Sequence, residues 1–266
     1  MPDQFLLAEP DERRDVYAVA AAGTGLPPKI LEKDVWLCWT LDMLFSQDGR
    51  PQMAFKGGTS LSKVYGVIDR FSEDIDLTIA LDPDANAGLP SSTSAAKKAR
   101  ERLGAQLKSH LQEVVVPLVS SALAPYVDDP SECVTMLDDE TVVLGYPSCF
   151  AKEGGYLAER VRMEFGARNR IVPSESRVIT PYVTDFLIAE EVELPLATAA
   201  QNRTRYSRLA IVGRPGEGTW FRPSGTCFCG RPEPIAPPPA QGVATTGWSG
   251  SSPAHLTSEV TASLTG

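Results

Sequence analysis

One stretch limits what this chain can fold into more than any other: Phe55 to Leu77, Phe-Lys-Gly-Gly-Thr-Ser-Leu-Ser-Lys-Val-Tyr-Gly-Val-Ile-Asp-Arg-Phe-Ser-Glu-Asp-Ile-Asp-Leu. It reads as strand, tight turn, helix and strand. Gly57 and Gly58 have no Cβ, so the backbone can turn sharply there. The helix expected from about Thr59 then begins with amide N–H groups that no helical carbonyl satisfies, an end that attracts phosphate. Beyond it, Asp74-Ile75-Asp76-Leu77-Thr78-Ile79 alternates strictly, sending Ile75, Leu77 and Ile79 to one face of a strand and Asp74, Asp76 and Thr78 to the other.

Two carboxylates on one surface repel each other, and one is driven to hold a proton unless a cation intervenes. Mg²⁺ suits such a pair, because it prefers hard oxygen ligands and takes one or two carboxylates together with substrate phosphates. The two halves thus describe a site for a metal-bound nucleoside triphosphate. Asp74 and Asp76 would hold the metal, while the Gly57-Gly58-Thr59 backbone and the Ser60 or Ser72 hydroxyl would bind phosphate. Lys63 falls within the helix's first two turns, either reaching the triphosphate or simply solvating the helix surface. The bland alternative for the acids is an exposed pair at a hairpin edge; the Gly-Gly-Thr run upstream, with a helix between, weighs against it.

Lys-Gly-Gly-Thr-Ser-Leu-Ser-Lys (56–63), followed by Arg-Phe-Ser-Glu-Asp-Ile-Asp-Leu (70–77), resembles the signature of the AbiEii/AbiGii toxin family. These are nucleotidyltransferase-like toxins of bacterial toxin–antitoxin systems and include the mycobacterial MenT proteins. The resemblance implies an α/β fold of the DNA-polymerase-β-like nucleotidyltransferase type, with a mixed, mainly antiparallel sheet flanked by helices. It further implies Mg²⁺ as cofactor, transfer of nucleotides from an NTP, in some relatives onto the 3′ end of tRNA, and a cognate antitoxin. Transferases of this fold carry a third carboxylate on a neighbouring strand, to take a proton from the attacking hydroxyl or to complete the metal shell. Arg160-Val161-Arg162-Met163-Glu164-Phe165 alternates cleanly and offers Glu164 for that place; pairing of Glu164 with Arg162 or a neighbouring strand is the alternative.

With 266 residues, 42% of them hydrophobic, the chain allows one large or two small domains with a real core. No apolar run approaches the roughly 20 residues of a membrane span, and Met-Pro-Asp-Gln does not begin a signal peptide, so a cytoplasmic protein is expected. Five cysteines at irregular spacing and two histidines suggest neither a disulfide framework nor a zinc site, and Cys227-x-Cys229 is read as incidental. The net charge of −9 argues against loose binding to nucleic acid. It leaves room for local basic patches at Lys97, Lys98, Arg100 and Arg102 and at Arg160, Arg162, Arg168 and Arg170, which either touch RNA or form solvated faces.

Elsewhere, a helix is expected from Asp11 to about Ala22 with Val16, Val19 and Ala20 as its stripe, broken by Pro27-Pro28. A second, Ile30 to Phe45, should pack beneath the first strand with Lys33 and Asp34 facing out. Its Glu32-Lys33-Asp34 is similar to a run that precedes the signature in the family. Residues 82–94 read as a loop, Ser94 to Leu123 as a long helix with His110 structural, 133–136 and 141–144 as a hairpin, and 178–196 as an extended segment. From about Ala200 to Gly266 the chain is crowded with Pro, Gly, Ser and Thr and is expected to be poorly ordered, giving a domain over 1–196 and a tail over 197–266. The resembling toxins continue instead with a helix carrying a catalytic Lys and another carrying Arg-His-x-x-Asp. Lys152 is the last lysine here. A frame shift, truncation or gene decay near residue 196 is the expectation drawn from this. The alternatives to an active enzyme are accordingly an inactive remnant that binds nucleotide or an antitoxin without transfer, and a basic-helix RNA-binding module.

Overall fold

In the computed structural model, which describes residues 4–68, 71–81, 92–151, 157–167, 171, 174–190, 206–212, 220–221 and 227–228, seven strands share one sheet. They are β1 (Gln52–Lys56), β2 (Asp74–Ala80), β3 (Val134–Met136), β4 (Thr141–Gly145), β5 (Arg160–Gly166), β6 (Ser174–Ile179) and β7 (Tyr206–Val212). Their order is β3-β4-β5-β2-β1-β7-β6. β2 runs parallel to β5 and β1 parallel to β7, and the other four neighbours are antiparallel. The sheet is therefore mixed and mainly antiparallel, with helices packed against it. A separate two-stranded ribbon joins β8 (Trp220–Phe221) to β9 (Cys227–Phe228).

Helix α1 (Pro10–Thr24) ends at Gly25, whose φ of 72° no residue with a Cβ adopts without strain, so the stop comes before Pro27. Its inner face is Val16, Tyr17 and Ala20; Val19, expected in the stripe, is 40% exposed. Helix α2 (Pro28–Phe45) opens on a proline, which suits a first turn whose N–H groups are unpaired in any case. It lies against α1, β5 and β7 and is buried on every side from Leu31 to Leu41. Trp36 stacks on Tyr146 at 5.5 Å and meets Trp39 and Tyr126 edge-on. The expectation that Lys33 and Asp34 face water is corrected: they are 2% and 0% exposed.

The long helix forms as α4 (Thr93–His110) and α5 (Val116–Leu123), joined through one π turn over Leu111–Val115. Leu107, Leu111, Val115, Val119 and Leu123 are its buried row. Each four-residue step overshoots an α-helical turn by about 40°. The looser π turn gives part of that drift back, just where Pro117 would clash with a normal turn. A short turn of helix, α6 (Pro130–Cys133), leads into the expected hairpin of β3 and β4.

Two readings near the C-terminal end change. The expected extended segment is β6 followed by α7 (Tyr182–Ala189), with Pro181 at the cap and Val183 and Leu187, four apart, turned inward. The region expected to lack strand structure contributes β7, a run of Leu209, Ala210, Ile211 and Val212 set between β1 and β6. Residues 230–266 lie outside the described residues, as do most of the 82–94 loop, Lys152, Arg168 and Arg170. Among the described residues Cys38, Cys133 and Cys149 are free thiols, and no helix is long and apolar enough to cross a membrane.

Candidate active site

The site is assembled by strand register. Lys56, the last residue of β1, lies opposite Asp76 on β2, and Asp76 lies opposite Glu164 on β5. One step back, Asp74 stands level with Arg162. Because side chains alternate along each strand, Asp74, Asp76, Arg162 and Glu164 share one face of the sheet. The three acids named from sequence are thus brought together by two adjacent parallel strands.

The glycine corner meets them. Helix α3 (Gly57–Lys63) follows β1 without a linker, two residues earlier than Thr59, and Gly57 sits at φ 75°. A Cβ on Gly57 would stand 1.9 Å from Asp76 Oδ2, so only glycine fits between the turn and the carboxylate. The Thr59 hydroxyl donates to the Asp74 carbonyl and shares a 2.8 Å hydrogen bond with the Ser72 hydroxyl. Ser60 Oγ donates to the Gly57 carbonyl at 2.9 Å. The Thr59 hydroxyl thus braces the corner against β2, and the Ser60 and Ser72 hydroxyls, expected at phosphate, are hydrogen-bonded within the corner and to Thr59.

Lys63 is elsewhere. Its ammonium donates to both Asp34 oxygens, at 2.6 and 2.9 Å, and lies 3.9 Å from the centre of the Tyr182 ring. Burial opposes the charge, yet the Asp34 carboxylate, helped by Cys38, holds the Lys63 pKa above the ordinary lysine range. Asp34 also accepts from the Tyr182 N–H at 2.7 Å, which ties α2 to α3 and α7. Its neighbours are anchored too: Lys33 donates to Glu73 at 2.6 Å, next to Asp74, and Glu32 accepts from Ser148 Oγ at 2.5 Å and the Cys149 N–H at 2.8 Å. The Glu-Lys-Asp run is a buried clamp behind the site.

In front lies an open cleft of about 890 Å³, lined by Lys56, Asp76, Arg162, Glu164 and the hairpin turn Asp138–Glu140. Burial raises the Asp76 pKa, Glu164 and Asp74 add to the rise, and Lys56 and Arg162 oppose it. Glu164 pairs with Arg162 at 3.0 Å, with both side chains 42% exposed. Among the described residues no three His, Cys, Asp or Glu side chains converge into a metal cage. Asp76 and its neighbour Asp74 on the same face nevertheless fit Mg²⁺, whose remaining ligands are normally water and phosphate. Lys56 is the cleft residue that sequence reading passed over in favour of Lys63. Its signal was strand alternation, since Phe55 is fully buried and Lys56 must face the other way.

A glycine corner pressed against an acidic strand, beside a parallel strand with a third acid, is the layout of a nucleotidyltransferase-type protein. Residues 40–201 match the family described as nucleotidyl transferase AbiEii toxin of type IV toxin–antitoxin systems. That match takes in more than half of the chain and every candidate residue above: the protein belongs to the AbiEii family. Among solved structures it is similar to MenT4, the nucleotidyltransferase toxin Rv2826c from Mycobacterium tuberculosis H37Rv, with 20% identity and a TM-score of 0.37. The similarity covers 76% of this chain and 55% of that one, so this chain spans about half of that structure's length. No curated protein matches.

Proposed function

We propose that the protein is a Mg²⁺-dependent toxin that transfers nucleotides from an NTP to an RNA, with the 3′ end of tRNA as acceptor, acting in the cytoplasm and restrained by a cognate antitoxin. The observation that carries this reading is the contact between Gly57 and Asp76, with Glu164 level on the next strand.

The amides that open α3 face phosphate oxygens, and Thr59, Ser60 and Ser72 keep that corner in place. Asp74 and Asp76 would hold the metal, which when bound neutralises charge on the phosphates and on the leaving oxygen. Glu164, steadied by Arg162, accepts the proton of the acceptor hydroxyl at a carboxylate oxygen. The acceptor oxygen bonds to the α-phosphorus as the bond to the β-phosphate oxygen breaks, and pyrophosphate leaves. The clamp behind the sheet holds these groups in position, which is where much of the rate of phosphoryl-type transfer originates.

Purified protein incubated with Mg²⁺, each labelled NTP in turn and total tRNA tests this. Label on RNA that falls by more than about 10² in Asp74→Ala and in Asp76→Ala is expected. Nucleotide binding with no incorporation would replace the enzyme by a binding remnant, and no binding at all would end the nucleotide reading.

A further inference from the structure

We propose that Lys56 is the residue whose positive charge grips the triphosphate of the incoming nucleotide, an inference that rests on the nucleotidyl-transfer reading. A triphosphate entering this cleft meets Asp76, Glu164 and the acidic turn Asp138–Glu140, and a polyanion needs fixed positive charge to settle there.

Among the described residues, four cations lie around the corner, and three are committed. Lys63 is held by Asp34, and Lys33 by Glu73 at 2.6 Å and the Ala158 carbonyl at 3.3 Å; both side chains are 3% exposed. Arg162 is paired with Glu164 at 3.0 Å. Lys56 lines the cleft, and among the described residues its ammonium has neither an ion pair nor a hydrogen bond. It immediately precedes the Gly57 corner and lies opposite Asp76. Its side chain runs across β2 to β5, where Nζ lies 3.8 Å from the place a Cβ on Gly166 would take; Gly166 leaves that space open. The Lys56 ammonium therefore stands in the cleft with Asp76 and Glu164, where the phosphate oxygens of an entering triphosphate come within its reach. A lysine at such a place acts as a movable point charge toward phosphate, a task that does not need the forked geometry of arginine.

The test is calorimetric titration of the full chain, with Mg²⁺ present, by inorganic tripolyphosphate and by each of the four NTPs. Tripolyphosphate has no sugar or base, so it isolates the contact in question. Lys56→Gln is expected to weaken both kinds of probe by the same factor, about 10- to 100-fold. Lys56→Arg should stay near the wild type. Lys56→Met takes the place of the Gln variant should that fail to melt like the wild type. Tripolyphosphate binding that is unchanged in Lys56→Gln but lost in Asp76→Asn overturns the role of Lys56 and leaves the nucleotide site standing. A loss confined to NTPs overturns it too, since the contact would then be to sugar or base. A wild type that binds no probe removes the site and the inference together.

Discussion

Charged residues occur in two clusters on either side of this fold, and the protein treats them in opposite ways. Behind the sheet, Glu32, Lys33 and Asp34 are at most 2% exposed, and each has a partner of opposite charge or a hydrogen-bond donor or acceptor within 3 Å. In front, Asp74, Asp76 and Glu164 are gathered on one face, with Lys56 uncommitted and Arg162 shared. Burial makes an unmatched charge very costly, so the rear cluster must be complete within the chain. The front cluster is incomplete by the same standard. That difference marks which of two similar-looking groups is structural and which is open to something from outside.

The comparison breaks most easily at Asp34. Asp34→Ala leaves the Lys63 ammonium buried without a counter-charge and the Tyr182 N–H without its acceptor. A loss of about 3–5 kcal/mol in urea denaturation is expected. Asp34→Leu combined with Lys63→Met should recover much of it, because removing both charges removes the desolvation cost as well. A single variant as stable as the wild type would mean that the rear cluster is not the closed system described.

Gly57 links the two sides, and its substitution is the next largest effect. A non-glycine residue at its φ of 75° costs about 1–2 kcal/mol. Gly49, at φ 70° with nothing within 4 Å of a would-be Cβ, should incur the same cost. Gly57→Ala must in addition push Asp76 aside, so it should lose Mg²⁺–nucleotide binding that Gly49→Ala retains. Equal binding in the two variants would uncouple the corner from the acids.

The front cluster was legible in the sequence because its signals are local. Two glycines at a strand end and strict alternation at Asp74–Ile79 and Arg160–Phe165 need no knowledge of distant contacts. What local pattern could not supply was register: that Asp76 faces Glu164 across parallel strands, and that Lys56 rather than Lys63 enters the cleft, depends on how β1, β2 and β5 align. The rear cluster was misread for a related reason. Charged residues on a helix normally face water, and Lys33 and Asp34 do not, because α2 is enclosed by α1, α7 and the sheet. The clue was present: Val35, Trp36, Leu37, Cys38, Trp39 and Leu41 leave almost no polar stripe, and a helix apolar all round is a buried one. Helix α7 was taken for extended chain because Tyr182, Val183 and Phe186-Leu187-Ile188 are β-formers, while the Val183–Leu187 spacing and Pro181 at the cap favoured the helix.

The smallest effect is also the one that asks what the front cluster is waiting for. Burial, with Glu164 and Asp74, raises the Asp76 pKa above its ordinary value of 3.8. The folded state thus holds that proton more tightly than the unfolded chain does. As pH rises from below 3.8 through the raised folded value, the unfolded chain ionises first and stability is lost; above both values the whole penalty remains. Asp76→Asn should therefore melt slightly higher than the wild type at neutral pH, by no more than about 2–4 °C, and the gap should close in acid. Mg²⁺ should reverse the order, since a ligand that binds only the folded state stabilises by about 1.4 kcal/mol at ten times its Kd and has one carboxylate fewer to bind in the variant. If Mg²⁺ raises both melting points equally, the repulsion among these acids is not relieved by that cation, and the incompleteness of the front cluster must be met by some other group.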